Sequence, residues 1–148
     1  MPISVVLKAS KPAPPPIEGV SLGAQLRRRR RALGLSCVDA AALLKSDAKS
    51  LMWWERDVRL PFVNAYPAII AFLGYEPWSE PRSLREALLA DRRRRGFEIR
   101  KAAALIGIDE STWRRWERGE WKPMRRSLAA LDQLFGANVA ELFPDDIQ

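Results

Sequence analysis

One unit occurs twice in this sequence, at a fixed offset. The stretch KSLMWWERDVRLP at residues 49–61 returns as STWRRWERGEWKP at residues 111–123, which is 62 residues later. At this offset an ungapped match runs from Ser21 to Glu76, and chance does not produce such a match. The identical pairs include Leu22/Leu84, Arg30/Arg92, Gly34/Gly96, Asp47/Asp109, Trp54/Trp116, Glu55/Glu117, Pro61/Pro123 and Gly74/Gly136.

The repeat predicts two similar small domains, for which a chain of 148 residues is long enough. We expect a proline-rich N-terminal tail at residues 1–20 and a first domain at residues 21–76. A linker at residues 77–83 then leads to the second domain at residues 84–148. Prolines around the linker favour a short, stiff connection over a free tether.

The local signals within each copy are helical, so the sequence predicts an all-α fold with four to five helices per domain. In the first copy Ser36, Asp47 and Asn64 are predicted to cap helix starts, and Gly34 and Gly74 to end helices. In the second copy the helices are expected at residues 84–95, 99–106, 110–118, 126–135 and 139–142. The one strand-like pattern is Ile3–Leu7. Helical spacing predicts that four side chains of the third helices face the core, namely Leu51, Trp54, Trp113 and Trp116.

Composition narrows the class of function. The net charge is +7, which indicates a polyanionic partner such as nucleic acid or an anionic surface. The chain has no histidine and one cysteine, so imidazole-dependent catalysis, an internal disulfide and a zinc site are not expected. No apolar run approaches the roughly 20 residues that a membrane span needs. We therefore expect a non-enzymatic cytoplasmic protein without a cofactor or a membrane association.

Each copy resembles the lambda-repressor-like, Cro-like, Xre-type helix-turn-helix domain. The first copy carries LGAQLRRRRRALGLS and DAAALLKSDAKSLMWWERDVRLP, and the second carries KAAALIGIDESTWRRWERGEWKP and LFGANVAEL. The second copy matches more closely, because the turn glycine, the cap, the Trp-Glu-Arg-Gly run and the proline are all in place. The resemblance covers about residues 21–142 and implies a bacterial or phage regulator whose third helices enter DNA.

The resemblance places base-reading positions on the outer face of each third helix. In the second copy these are Glu110, Ser111, Thr112, Arg114 and Arg115, whose arginines can donate to guanine and whose glutamate can accept from cytosine. In the first copy the same positions include Lys49 and Trp53, and Trp53 is expected to expose a large indole. A solvated charged face is the alternative interpretation of the second set.

Other basic residues are candidates for phosphate contacts. In the first copy they are Arg27, Arg28, Arg31 and Lys45, and in the second they are Arg100, Lys122 and Arg125. The runs at residues 27–31 and 92–95 lie on the first helices, where a solvated helix face is equally consistent with the sequence. Residues 1–79 carry 11 basic and 6 acidic residues, against 14 and 12 in residues 80–148. We therefore expect the first copy to bind the DNA backbone and the second copy to recognise the bases.

The resemblance also implies two structural ion pairs, Arg30 with Glu55 and Arg92 with Glu117, that link the first and third helices. The turn before the third helix differs between the copies, since Lys45 stands where the second copy has Gly107. If this position is left-handed, the lysine carries a strain of roughly 1 kcal/mol.

The sequence thus favours a sequence-specific regulator of double-stranded DNA, with repression more consistent than activation. It would act as a monomeric pseudo-dimer or as a homodimer. The alternative is a protein-binding module, of an antitoxin or anti-activator kind, that keeps the fold without reading DNA. Its contact surface would be Trp53, Trp78 and Trp121.

Overall fold

The computed structural model describes residues 19–148, and every regular element in this range is helical. The predicted all-α fold class is confirmed. The strand-like pattern Ile3–Leu7 and tail residues 1–18 lie outside the described residues. The chain divides into two compact units, Met1–Ser79 and Glu80–Gln148.

The part of the first unit that the structure describes, residues 19–79, contains four α-helices. They are α1 (Leu22–Ala32), α2 (Cys37–Leu43), α3 (Ala48–Glu55) and α4 (Tyr66–Leu73), and one 3-10 turn, Val63–Ala65, precedes α4.

The second unit contains five α-helices and two 3-10 turns. The helices are α5 (Leu84–Arg95), α6 (Ile99–Leu105), α7 (Glu110–Glu117), α8 (Leu128–Phe135) and α9 (Val139–Leu142). The turns are Arg125–Ser127, before α8, and Pro144–Asp146, after α9. The bounds of α6, α7 and α8 are those of α2, α3 and α4 shifted by the same 62 residues that separate the sequence repeats.

Local chemistry explains most helix ends. The Ser36 hydroxyl accepts from the Asp39 amide at 3.1 Å, and the Asp47 carboxylate accepts from the Ser50 amide at 2.8 Å, so both predicted caps form. The expectation that Asn64 caps a helix is wrong. Asn64 lies inside the 3-10 turn Val63–Ala65, and α4 begins from this turn without a side-chain cap. The helix predicted to start at residue 126 likewise starts at Leu128 because a 3-10 turn comes first.

Each unit has its own apolar core, and the third helix lies against it. In the first unit Leu51 and Trp54 are buried with side chains of α1 and α4. In the second unit Trp113 and Trp116 are buried with Leu88 and Leu131. The four predicted core positions on α3 and α7 are therefore confirmed. Buried alanines at the centres of α2 and α6 leave room for α3 and α7 to pack closely.

Candidate nucleic-acid interface

In both units an arginine of the first helix holds the end of the third helix. In the first unit Arg30 Nε and Nη2 donate to the two carboxylate oxygens of Glu55 at 2.7 and 3.0 Å. In the second unit Arg92 makes the same two-pronged contact with Glu117 at 2.7 and 2.6 Å. These fork geometries are the strongest form of an ion pair, and they fix the orientation of α3 and α7. The hydrogen bonds that Arg30 donates to Glu55 raise the pKa of the Arg30 guanidinium.

The two ion pairs differ in their third partner. The Trp113 indole donates to Glu117 at 2.7 Å, so the core tryptophan also anchors the carboxylate. In the first unit Leu51 occupies the equivalent position, and Arg27 Nε lies 3.5 Å from the Glu55 carboxylate instead. The sequence contained the signal for the indole contact, because Trp113 precedes Glu117 by one helical turn.

The five candidate base-reading residues of the second unit share the outer face of α7, which we call the reading face. Ser111 and Arg115 are exposed, while Thr112 and Arg114 are half-buried. Arg114 donates to Glu110 at 3.0 Å, so these two side chains neutralise each other before any ligand binds. The Arg115 guanidinium lies 4.2 Å from the ring centroid of Trp121, a cation–π contact that limits its conformations.

The same face of α3 is different in chemistry. Lys49 is exposed. Trp53 was predicted to be exposed as well, but it is half-buried. Its ring is covered by Arg59, 4.2 Å from the ring centroid, and by Lys49, 4.9 Å from it. The indole therefore supports the surrounding loop, and this interpretation replaces the prediction of an exposed aromatic.

The arginine-rich first helices are largely occupied by contacts inside their own units. Arg28 donates to the Tyr75 hydroxyl at 3.3 Å, and Arg27 lies beside Glu55. In the second unit Asp91 is buried and accepts from Arg95 at 3.0 Å. Arg31 is exposed at the end of α1 and presents its charge to solvent.

The remaining phosphate candidates are on exposed turns and helix starts. Lys45, in the turn between α2 and α3, is exposed with a left-handed φ of 55°. Arg100, Lys122 and Arg125 are also exposed. Lys122 lines a cleft of ≈ 440 Å³ beside α7, together with Thr112, Trp121, Met124 and Arg126. In the second unit the structure thus brings Thr112 of the reading face and two basic side chains, Lys122 and Arg126, to one concave surface.

The three tryptophans of the alternative interpretation have different surroundings. Trp53 is stacked under cations, and the Trp78 ring packs at 5.9 Å from that of Tyr66. Trp121 is 51 % exposed. It belongs to the second unit, whereas the other two belong to the first.

Comparison with known proteins gives a family match for most of the second unit. Residues 82–142 match a family described as a helix-turn-helix domain, which confirms a helix-turn-helix in that part of the chain. No curated protein and no solved structure matches the chain. Among residues 19–148 no helix is long and apolar enough to cross a membrane, and no cluster of side chains has the make-up of a metal site.

Proposed function

With residues 82–142 forming a helix-turn-helix domain, we propose that the chain is a sequence-specific regulator of transcription that binds double-stranded DNA. The observation that carries the proposal is the reading face of α7. It presents hydroxyl, carboxylate and guanidinium groups on a helix whose orientation is fixed by the Glu117 ion pair. The proposed protein is non-enzymatic and needs no cofactor.

The reading face offers the groups that discriminate base pairs in the major groove. Arg115 is exposed and pre-oriented by Trp121, so it suits a two-pronged contact with guanine. Ser111 and Thr112 can reach a base edge or a phosphate near the start of α7. Since Glu110 pairs with Arg114, either residue must exchange this partner before it contacts a base.

Phosphate contacts would come from side chains that remain exposed. In the second unit these are Arg100, Lys122 and Arg125, and in the first they are Arg31 and Lys45. Arg27 and Arg28 contribute less than the sequence suggested, because both already make contacts within the first unit. The first unit then anchors the chain on DNA, while the second supplies the base preference.

The sequence repeat bears on the form of the DNA site and on the oligomeric state of the protein. Two unlike units in one chain favour a DNA site with two unlike halves, so the chain would act as a monomeric pseudo-dimer, with a homodimer as the alternative. Such a protein would work in a bacterial cytoplasm and act more simply as a repressor, since two bound units can block a promoter without other parts.

Selection of bound sequences from a random duplex library tests the proposal. We expect one preferred site, and we expect Arg115→Ala to weaken binding to it by about 1–3 kcal/mol and to relax the preference at one base pair. Arg125→Ala is the matched comparison, because loss of a phosphate contact weakens binding to preferred and scrambled duplexes alike. If Arg115→Ala weakens both duplexes equally, or if no duplex binds at low salt, the proposal is wrong.

A further inference from the structure

The loop after α3 in the first unit exposes three apolar side chains. Val58, Leu60 and Phe62 are 63, 71 and 86 % exposed, and they alternate along one short segment. We call these three residues the apolar loop patch. Large apolar side chains clustered on a surface mark contact sites more often than scattered ones do.

Together with the 3-10 turn that follows it, the equivalent loop of the second unit carries more charged side chains, although it also exposes Trp121 and Met124. At the repeat offset, Glu120, Lys122 and Met124 stand where the first unit has Val58, Leu60 and Phe62. The following 3-10 turn shows the same change, because Val63 and Asn64 replace Arg125 and Arg126. Lys122, Arg125 and Arg126 thus have uncharged counterparts in the first unit, which carries one cation of its own, Arg59, where the second unit has Trp121. A surface that binds a phosphate backbone needs those cations, so this loop is adapted to another ligand.

The loop is held in place from both sides. Asp57 accepts from the Ser21 hydroxyl at 2.9 Å and from the Gly23 amide at 3.2 Å, which ties the loop to the start of α1. The Val58 amide donates to the Trp53 carbonyl at 3.0 Å, and the Arg59 guanidinium stacks on the Trp53 ring. The apolar loop patch is therefore presented by an ordered support, and a partner would not have to order the loop on binding.

Charge selects the kind of partner. Arg56 and Arg59 are exposed within the same loop, and Lys49 covers the neighbouring Trp53 ring. The carboxylate of Asp57, which is the acidic residue of the segment 56–62, is taken up by Ser21 and Gly23. Two copies of the patch facing each other would bring these cations together, which disfavours self-association. An acidic partner would be attracted.

We propose that the first unit docks an acidic segment of another protein, whose large apolar side chains pack on Val58, Leu60 and Phe62. The basic residues of the loop would steer and orient this segment, and the apolar contacts would supply most of the affinity. The chain would then carry a protein partner on the loop of its first unit while it is bound to DNA. The docking does not rest on DNA binding, so the two proposals can fail separately.

The test uses the full chain and a displayed library of random linear peptides. We expect the selected peptides to combine Asp or Glu with Leu, Phe or Trp. For a labelled selected peptide, Phe62→Ser should raise the Kd about tenfold or more. Met124→Ser is the matched control at the equivalent position of the second unit, and it should leave the Kd unchanged. Phe62 is so exposed that its replacement should not alter the melting temperature.

A second variant separates charge from apolar contact. Replacing the exposed Arg56 with glutamate, with Arg59 left in place on the Trp53 ring, should weaken binding of the acidic peptide and reduce its dependence on salt. Three results would overturn the proposal: selected peptides without acidic residues, equal binding by Phe62→Ser and the parent chain, or concentration-dependent self-association that Phe62→Ser abolishes. Binding to anionic phospholipid vesicles that requires Phe62, with no peptide selected, would also overturn it in favour of a membrane surface.

Discussion

At the residue scale, the two repeats share two left-handed backbone positions but fill them differently. Lys45 and Asp57 have φ values of 55° and 58°, and their equivalents in the second unit are Gly107 and Gly119, at 72° and 74°. Asp57 is compensated, because its carboxylate binds Ser21 and Gly23. Lys45, by contrast, is exposed to solvent. Comparison of the repeats predicts the strain at Lys45, and the same comparison could have found Asp57.

Replacement by glycine should therefore have opposite effects on stability at the two positions. We expect Lys45→Gly to raise the free energy of unfolding by up to about 1 kcal/mol, because it relieves the left-handed strain. Asp57→Gly should lower the free energy of unfolding, since the hydrogen bonds to Ser21 and Gly23 are lost with the strain. Urea denaturation of the two variants measures both changes. A gain for Asp57→Gly, or a loss for Lys45→Gly, would show that strain at these turns has been misjudged.

The two units also differ in which residue is small at the contact between the start of the first helix and the end of the third. A Cβ on Gly23 would lie 2.3 Å from the Trp54 carbonyl oxygen and 2.6 Å from the Asp57 carboxylate. In the second unit the equivalent of Gly23 is Arg85, and its side chain lies over Gly119. Each unit thus keeps one small residue at this contact, but on opposite sides. The sequence shows both differences, but only the structure shows that the two positions touch.

At the scale of the element, α3 and α7 depend on their terminal glutamates. The Glu117 side chain is 13 % exposed and that of Arg92 is 11 %, so removal of the carboxylate leaves a nearly buried guanidinium without its partner. We expect Glu117→Ala to destabilise the second unit by about 3 kcal/mol. Glu55→Ala should do the same to the first unit, where two arginines, Arg27 and Arg30, would lose their partner.

The exposed pair Glu110–Arg114 is the control, because its side chains are 47 and 39 % exposed. Glu110→Ala should change the free energy of unfolding by no more than about 1 kcal/mol. Chemical denaturation followed by tryptophan fluorescence measures all three variants. If Glu117→Ala unfolds at the same denaturant concentration as the parent chain, the ion pair does not hold α7 in place.

The Asp47 cap at the start of α3 should make the stability of the first unit depend on pH. Hydrogen bonds from the Ser50 amide and hydroxyl lower the pKa of Asp47 below its ordinary value of about 3.9. The carboxylate therefore contributes stability above the ordinary pKa, and this contribution is lost as the pH falls through the lowered value. Asp47→Asn keeps a capping oxygen but does not titrate.

Melting temperatures measured across the acidic range test this cap. The difference between the parent chain and Asp47→Asn should favour the parent at neutral pH and shrink as the pH falls. Other carboxylates titrate in both proteins, so the difference isolates Asp47. A difference that stays constant with pH would mean that the charge on Asp47 does not strengthen the cap.

At the scale of the whole molecule, the sequence predicts well those features of the fold that depend on residues close together in the chain. The caps Ser36 and Asp47 and the apolar faces of α3 and α7 each depend on residues within a few helical turns, and the repeat is evident from the sequence alone. Prediction was weaker where distant residues decide. The cover on Trp53 comes from Arg59 beyond the end of α3, and the apolar loop patch is evident only once its exposure is known. The helix starts after Pro61 and Pro123 were misplaced because 3-10 turns come first.

The different roles proposed for the two units on DNA can be tested on the second unit alone. Residues 80–148 have their own core, so we expect this fragment to fold alone and to retain the base preference of the full chain. Its affinity should be lower, because the phosphate contacts proposed for Arg31 and Lys45 are missing. Each lost contact should reduce the slope of log affinity against log salt by about 0.9, or about 2 for both.

The full chain with Arg31→Ala and Lys45→Ala is the matched comparison, and its salt slope should equal that of the fragment. A fragment that folds but has lost the base preference would show that the first unit also reads DNA. A fragment with the full slope would show that the first unit makes no phosphate contacts. In that case the smaller number of cations in its loop and 3-10 turn reflects a unit that has left DNA altogether, and its remaining role would be to dock the acidic partner on Val58, Leu60 and Phe62.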